Sequence, residues 1–149
     1  MSGPIVLDPG QGDAVQARGS LMLFKAVATT TGGAFSLHER HLPPGGRKPP
    51  PHRHTNCQEA FFVLEGEVEF TLGTETVRRG PGTFVLVPGG VAHTFGNTGT
   101  APARTLVLHA PAMDQYFREL EALWAGPTPP DRQAELDLMG RHGMTPGSD

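Results

Sequence analysis

Residues 46–66 read GRKPPPHRHTNCQEAFFVLEG, and residues 82–97 read GTFVLVPGGVAHTFGN. Together these two stretches contain four side chains of metal-ligand type: His52, His54, Glu59 and His93. Three imidazoles and one carboxylate suit a divalent transition metal, and such a set can leave coordination positions open for water, dioxygen or substrate. The glycines and prolines around these residues lie where short β-strands would have to turn. The two stretches therefore predict a metal site at the turns of a β-structure.

The local spacing tells which way these side chains point. His52 and His54 are two residues apart, so both face the same side of an extended backbone. Glu59 follows His54 at an odd separation, and regular alternation would turn it to the opposite side. A bend or bulge at Thr55 to Gln58 is therefore expected to bring Glu59 back toward the histidines.

The same residues resemble the two signature motifs of the cupin superfamily. The first stretch matches G-x5-H-x-H-x4-E-x6-G and the second matches G-x5-P-x-G-x2-H-x3-N, with no departure in spacing. The fifteen residues between them, 67–81, resemble the short interval of small single-domain bacterial cupins, or monocupins. The resemblance implies an all-β fold, a double-stranded β-helix or jelly-roll barrel, with the metal inside one end. It also implies that the metal ligands are His52, His54, Glu59 and His93.

Composition and periodicity divide the chain into three parts of one domain. Gly 20 and Pro 15 among 149 residues favour many short strands joined by turns. We expect an N-terminal arm at residues 1–19, in which only Ile5 to Leu7 could form a strand, and a barrel at residues 20–110. After Pro111 the apolar period changes from two to about 3.6, which predicts a C-terminal helical extension, residues 111–149, packed on the barrel. Its apolar stripe contains Met113, Phe117, Leu120 and Trp124.

Charge, apolar run length and cysteine content limit the partners and the location that we expect. The net charge of −3 leaves no basic footprint, so nucleic acid is not expected as a partner. No apolar run approaches the roughly 18 residues that a membrane span needs. The single cysteine, Cys57, excludes an internal disulfide, and the N-terminal residues lack a secretory pattern, so we expect a reducing, cytoplasmic location. We expect Cys57 to be a small buried hydrophobe rather than a nucleophile.

An apolar strip predicts a homodimer. Residues 60–64 and 83–87 carry mostly apolar side chains on both faces of the predicted strands, which is typical of strands buried on both sides. Phe62 and Leu64 alternate with the cavity face, so either a partner subunit or the C-terminal segment has to cover them. We expect a partner subunit, with the N-terminal arm completing the neighbour's sheet edge.

The other face of the same strands predicts a pocket for a small, mostly apolar substrate. Four apolar side chains on strands of one barrel are expected to line it: Phe61, Val63, Phe70 and Phe95. His38 and His41 are separated by an odd number of residues, so only one of them can face the cavity. We take His41 as the pocket residue.

The resemblance narrows further, to small bacterial cupins grouped with quercetin 2,3-dioxygenase. It implies a dioxygenase acting on a small enolic or phenolic substrate, flavonol-like or polyketide-like. The chemistry of a carboxylate also allows Glu59, besides being a ligand, to act as the general base if it loosens from the metal. One divalent transition metal per chain is expected, with Fe, Ni or Mn favoured and Zn, Co or Cu also compatible with the donors. Two alternatives stay open, because the same donors occur in redox-neutral cyclases or isomerases and in binding or sensing modules without turnover.

Overall fold

Short antiparallel strands form two sheets in the computed structural model, which describes residues 3–147. The eleven strands are β1 Asp13–Ala17, β2 Ser20–Ala26, β3 Ser36–Leu42, β4 His52–His54, β5 Gln58–Glu65, β6 Val68–Leu72, β7 Glu75–Arg79, β8 Phe84–Val87, β9 His93–Gly96, β10 Ala103–Ala110 and β11 Met144–Pro146. One sheet has the order β1-β2-β3-β10-β5-β8 and the other β11-β4-β9-β6-β7. This arrangement confirms the predicted all-β jelly-roll barrel.

Three helices accompany the sheets: α1 Ala28–Thr31, α2 Asp114–Trp124 and α3 Arg132–Arg141. None of the helices within residues 3–147 is long and apolar enough to cross a membrane.

The barrel core lies between the sheets because alternate residues of β3, β5 and β10 point inward. Its buried members are Leu42, Phe61, Val63, Val68, Phe70, Val87, Phe95, Ala103 and Val107. The three phenylalanines meet edge to face, with the ring of Phe61 4.8 Å from that of Phe95 and 5.1 Å from that of Phe70. This cluster fills one end of the barrel and leaves the other end for the polar residues described below.

Tight turns hold the strands in place. Gly66, between β5 and β6, has φ of 70°, and a Cβ atom there would lie 2.4 Å from the carbonyl oxygen of Pro102. Only glycine therefore fits this position. Asn97 secures the turn after β9, because its Nδ2 donates to the carbonyl oxygens of Leu42 at 3.0 Å and Ala101 at 2.7 Å.

The N-terminal residues differ from the prediction. The first strand is Asp13–Ala17 rather than Ile5–Leu7, and it pairs with β2 of its own chain. Two consecutive left-handed residues, Arg18 and Gly19, make the turn between them. Val15 and Ala17 are buried, whereas residues 5–7 are exposed, so burial rather than local apolarity decides which segment becomes a strand.

The C-terminal residues 113–146, here called the C-terminal cover, close one end of the barrel. The predicted stripe is apolar and mostly buried, with Met113, Phe117 and Leu120 inside and Trp124 half-buried. It packs with Val15, Met22 and Phe24 of the first two strands. Strand β11, which the sequence did not predict, pairs with β4 and extends its sheet. The helices therefore lie over the polar end of the barrel, not only against its outer wall.

The apolar strip on β5 and β8 stays exposed in the single chain. Phe62 is 42%, Phe84 61% and Leu86 52% exposed, although their strands were predicted to be buried on both faces. The C-terminal cover packs on β1, β2 and β4 instead. Among the described residues, the C-terminal segment therefore does not cover this strip. A partner subunit, the other covering considered above, stays a prediction.

Candidate metal centre

Three strands bring the four candidate ligands together at the covered end of the barrel. His52 and His54 point inward from β4, with Arg53 half-buried between them. The chain bends at Thr55 and Asn56 before β5 begins, as predicted, and this bend turns Glu59 to the same interior. His93 on β9 pairs in register with His52. All four side chains are buried, and their candidate ligand atoms lie within 4.8 Å of one another.

The hydrogen bonds around the cluster leave its nitrogen lone pairs directed inward. Nδ1 of His52 lies 2.7 Å from the carbonyl oxygen of Pro50, and Nδ1 of His93 lies 2.9 Å from that of Val91. A carbonyl oxygen only accepts, so each Nδ1 carries the proton and each Nε2 can present a lone pair. Backbone bonds of this kind orient metal-ligating histidines.

The distances within the cluster require a proton or a metal ion between the imidazoles and the carboxylate. Oε1 of Glu59 lies 2.7 Å from Nε2 of His93 and 3.2 Å from Nε2 of His54. Two acceptors cannot approach to such a distance unless a proton or a metal ion lies between them. The residues present therefore fit a divalent metal, and its binding would release the protons that otherwise occupy these contacts.

The charges of the cluster shift the pKa values of its members in different directions. Burial would raise the pKa of Glu59, but the nearby His109 and the hydrogen bonds from His109, His54 and His93 hold it well below its usual range. Burial lowers the pKa of His52 to about 3, aided by the neighbouring His93. The pKa of His93 is raised, because its bond to Glu59 outweighs the effect of burial. At neutral pH Glu59 is thus ionised and His52 neutral, as metal ligands must be.

A fifth polar residue, His109 on β10, contacts the cluster from the other side. Its Nε2 lies 3.1 Å from Oε2 of Glu59, the oxygen that does not face the other histidines. The His109 side chain is 2% exposed. His109 was not among the site residues predicted from the sequence, although its position in the strict alternation of β10 places it inward with Val107 and Thr105.

A small cavity adjoins the cluster beneath the C-terminal cover. Its space for the centre of a water molecule is about 20 Å³, and its lining combines barrel and cover residues: Arg18, Arg40, Pro49, His52, His54, Glu59, Phe95, His109, Met113, Tyr116, Phe117 and Met144. The two arginines and the cover residues were not predicted. Arg40 could have been found from its alternation with His38, but Arg18 and Met144 come from distant parts of the chain and carry no local signal.

Of the five predicted substrate-pocket residues, only Phe95 lines this cavity. Phe61, Val63 and Phe70 lie in the barrel core, separate from the lining. His41 faces outward, its side chain 36% exposed and 2.7 Å from Glu39. The alternation of β3 turns His38 inward instead, where its ring packs on Phe24, His109 and Phe117. The prediction that His41 is the inward histidine is therefore wrong, because the alternation of β3 turns His38 inward.

Comparison with known proteins agrees with this fold and site. Residues 38–109 match the cupin domain family. The chain is 27% identical over 117 residues to quercetin 2,3-dioxygenase of Bacillus subtilis (strain 168), an alignment that covers 78% of this chain and 34% of that protein. Together with the jelly-roll barrel and the buried three-histidine, one-carboxylate cluster, these matches support a small protein of the cupin superfamily.

Two solved structures illustrate the range of related barrels. A sugar phosphate isomerase of the cupin superfamily from Silicibacter pomeroyi superposes with a TM-score of 0.55 at 25% identity, covering 67% of this chain and 68% of that one. The polyketide cyclase RemF from Streptomyces resistomycificus superposes with a TM-score of 0.63 at 24% identity, covering 72% and 80%. The latter likeness shows the fold alone. The chain spans between a third and a half of the length of the curated relatives that it matches.

Proposed function

We propose that the protein is a metal-dependent dioxygenase that acts on a small enolic or phenolic molecule. The observation that carries this proposal is the buried set of three imidazoles and one carboxylate, which adjoins a small cavity. The similarity to quercetin 2,3-dioxygenase over 78% of the chain supports the same reaction class. One divalent metal per chain, with iron, nickel or manganese favoured, would be held by His52, His54, Glu59 and His93.

When bound, such a metal supplies Lewis acidity toward a substrate oxygen and redox chemistry toward dioxygen. The protein's own residues supply the proton handling. Glu59 is ionised at neutral pH and can accept a substrate proton at Oε2, where Nε2 of His109 lies 3.1 Å away and can share that proton. Met113, Tyr116 and Phe117 cover the cavity and exclude bulk water.

The size of the cavity limits the substrate. About 20 Å³ is room for roughly one water molecule, so a flavonol or polyketide ring system would fit only if the C-terminal cover moved away. A molecule of a few carbon atoms needs a smaller displacement. The proposed substrate is therefore smaller and more polar than the flavonol-like molecule that the sequence suggested.

An oxygen electrode tests the proposal. Protein reconstituted with Fe(II), Ni(II) or Mn(II) is assayed against catechols, flavonols, β-diketones and small enolisable acids. We expect oxygen uptake with at least one small substrate, lost on removal of the metal and reduced by about two orders of magnitude or more in Glu59→Gln, since proton transfer contributes about that much. Absence of uptake with every metal and substrate would contradict the oxygenase.

A redox-neutral isomerase or cyclase is the second candidate, and the contact between Glu59 Oε2 and His109 favours it. A carboxylate and an imidazole within hydrogen-bond distance can remove a proton from one carbon and return it to another without oxygen. The 25% identity to a sugar phosphate isomerase is consistent with this reaction. Substrate conversion that continues unchanged under nitrogen would identify this class, whereas binding without conversion would identify a sensing module.

A further inference from the structure

Arg40 is a buried arginine that points into the cavity beside the metal cluster. It lies on β3, where inward and outward residues alternate, and shares the inward face with Ser36, His38 and Leu42. The residue is 2% exposed. It lines the same cavity as His52, His54 and Glu59. One face of its guanidinium is occupied, because its Cζ lies 5.1 Å from the centre of the Phe95 ring.

The polar edge of Arg40 is not satisfied by the protein. Its Nε and Nη2 atoms are buried and have no hydrogen-bond partner among residues 3–147. The second arginine of the cavity differs in this respect: Arg18 donates from Nε to Glu135 at 3.0 Å and from Nη2 to the Tyr116 hydroxyl at 3.0 Å. Arg18 therefore belongs to a structural ion pair with Glu135. The Nε and Nη2 donors of Arg40, in contrast, can bind a ligand.

A buried, unpaired guanidinium is unfavourable unless an anion meets it. Burial and the nearby Arg18 lower the pKa of Arg40 to about 9, which reflects a positive charge without a close counterion. Glu59 attracts it from a distance, but the oxygens of Glu59 contact His54, His93 and His109 and form no ion pair with Arg40. With a divalent cation on the cluster, the positive charge of this end of the cavity would exceed the negative charge of Glu59 alone.

We propose that Arg40 binds a carboxylate of the substrate, while a second oxygen of the same molecule reaches the metal cluster. The planar guanidinium carries parallel donors that match a carboxylate and can bind it through two hydrogen bonds. The substrate class is thus a small carboxylic acid with an enolic or phenolic oxygen a few bonds away, not a neutral diketone or flavonol. This inference rests on the function proposed above only in assuming that the substrate occupies the metal-site cavity.

Paired ligands of similar shape test the inference without turnover. Malonate and acetylacetone share a 1,3-dicarbonyl skeleton, but only malonate carries carboxylates. We propose calorimetric titration of Mn(II)-loaded protein with each, under nitrogen, with metal content measured before and after. We expect Arg40→Met to weaken malonate binding about tenfold or more and to change acetylacetone binding by less than about twofold, because a charge-assisted, two-point contact is lost for malonate only.

Two further variants complete the comparison. Arg104→Met removes a half-exposed arginine of β10 that pairs with Glu39 and Glu65 outside the cavity, and we expect it to bind malonate as the parent does. Arg40→Lys keeps the charge but not the planar donor pair, and we expect malonate binding about threefold or more weaker than in the parent. If Arg40→Met does not fold, the test rests on Arg40→Lys, and parent-like malonate affinity in that variant overturns the proposal.

The melting temperature separates ligand binding from a structural role. Without ligand, Arg40→Met should melt at or above the temperature of the parent, because it removes an unpaired buried charge. Malonate should raise the melting temperature of the parent and not that of Arg40→Met. A variant that is less stable without ligand, and that still binds malonate within about twofold of the parent, would show that Arg40 has a structural role and would overturn the inference.

The outcomes also distinguish the inference from the proposed function. Malonate binding that depends on Arg40, with no oxygen uptake from any substrate, would support the carboxylate site and contradict the oxygenase. Oxygen uptake with acetylacetone that persists in Arg40→Met, together with equal malonate affinities, would support the oxygenase and overturn the carboxylate site.

Discussion

The two oxygens of Glu59 have different partners, and this difference organises the site at the scale of residues. Oε1 faces His54 and His93, whereas Oε2 faces His109. One side chain can therefore act as a metal ligand through Oε1 and exchange a proton through Oε2. The Nδ1 bonds of His52 and His93 to backbone carbonyls fix the rings around it, so few donors are free to replace one that is lost.

Removal of one histidine should therefore deplete the metal. We expect His54→Ala and His93→Ala each to lower bound metal by about tenfold or more, because each deletes one of four donors. Elemental analysis of the natively purified proteins, expected at about one metal per parent chain, measures this effect. His41→Ala serves as the control, since His41 faces outward beside Glu39. Parent-like occupancy in both cluster variants would contradict the ligand assignment.

Cys57 should be unreactive despite its position two residues before Glu59. Burial, with a contribution from the charge of Glu59, raises the pKa of its thiol from 9.0 to about 11. The reactive thiolate is thus about a hundredfold less abundant at pH 8 than for a thiol of ordinary pKa. We expect iodoacetamide to alkylate the folded protein about a hundredfold more slowly than the urea-unfolded chain. Similar rates in both states would show that this thiol is accessible and ionised.

At the scale of elements, the C-terminal cover is held over the cavity by both apolar and polar contacts. Leu120 is fully buried in the cluster that joins α2 and α3 to β1 and β2. Glu135 of α3 accepts hydrogen bonds from Arg18 at 3.0 Å and from Nε1 of Trp124 at 2.6 Å. Trp124 itself is only half-buried, with Arg47 stacked 5.6 Å from its ring. The packing of the cover thus depends more on Leu120 than on Trp124.

Substitutions on α2 should reproduce this ranking. We expect Leu120→Ala to lower the free energy of unfolding by about 2–5 kcal/mol, as for a fully buried leucine. Trp124→Ala should cost less, about 1–3 kcal/mol, because its side chain already contacts solvent. The exposed Gln115→Ala on the same helix is the control and should stay within about 0.5 kcal/mol of the parent. Urea unfolding measures all three, and equal costs for Leu120 and Trp124 would contradict this account of the cover.

The elements that the sequence did not predict are those defined by distant partners. β11 contains three residues with a proline at its end, and only its pairing with β4 makes it a strand. β1 is recognisable only from its burial against β2 and α2. α1 follows β2 where the backbone N–H of Ala28 donates to Oδ1 of the distant Asp114 at 2.8 Å, in addition to the local bonds between Thr30 and Val27.

At the scale of the whole molecule, the barrel and its cluster of candidate metal ligands could be predicted from the sequence, but the lining of the cavity could not. Spacing alone places His52 and His54 on one face, and the predicted bend at Thr55 brings Glu59 back toward them. Arg18, Tyr116 and Met144 reach the cavity from the first strands and the last elements of the chain. Such contacts depend on how the chain ends fold back over the barrel, which no local pattern encodes. This folding made the cavity small and charged where an apolar pocket was predicted.

The homodimer remains a prediction of the sequence, and the exposed strip on β5 and β8 supports a specific interface. Phe62 and Phe84 are adjacent in register, and Leu86 is the next outward residue along β8. β8 is the edge strand of its sheet, and residues 5–7 are three further exposed apolar side chains that a second copy could place against it. We therefore expect the double variant Phe84→Asp and Leu86→Asp to be monomeric at micromolar concentration by light scattering. Thr76→Asp, a change at an exposed position on the edge strand β7 of the other sheet, should remain dimeric. A monomeric parent, or a dimeric double variant, would contradict this interface.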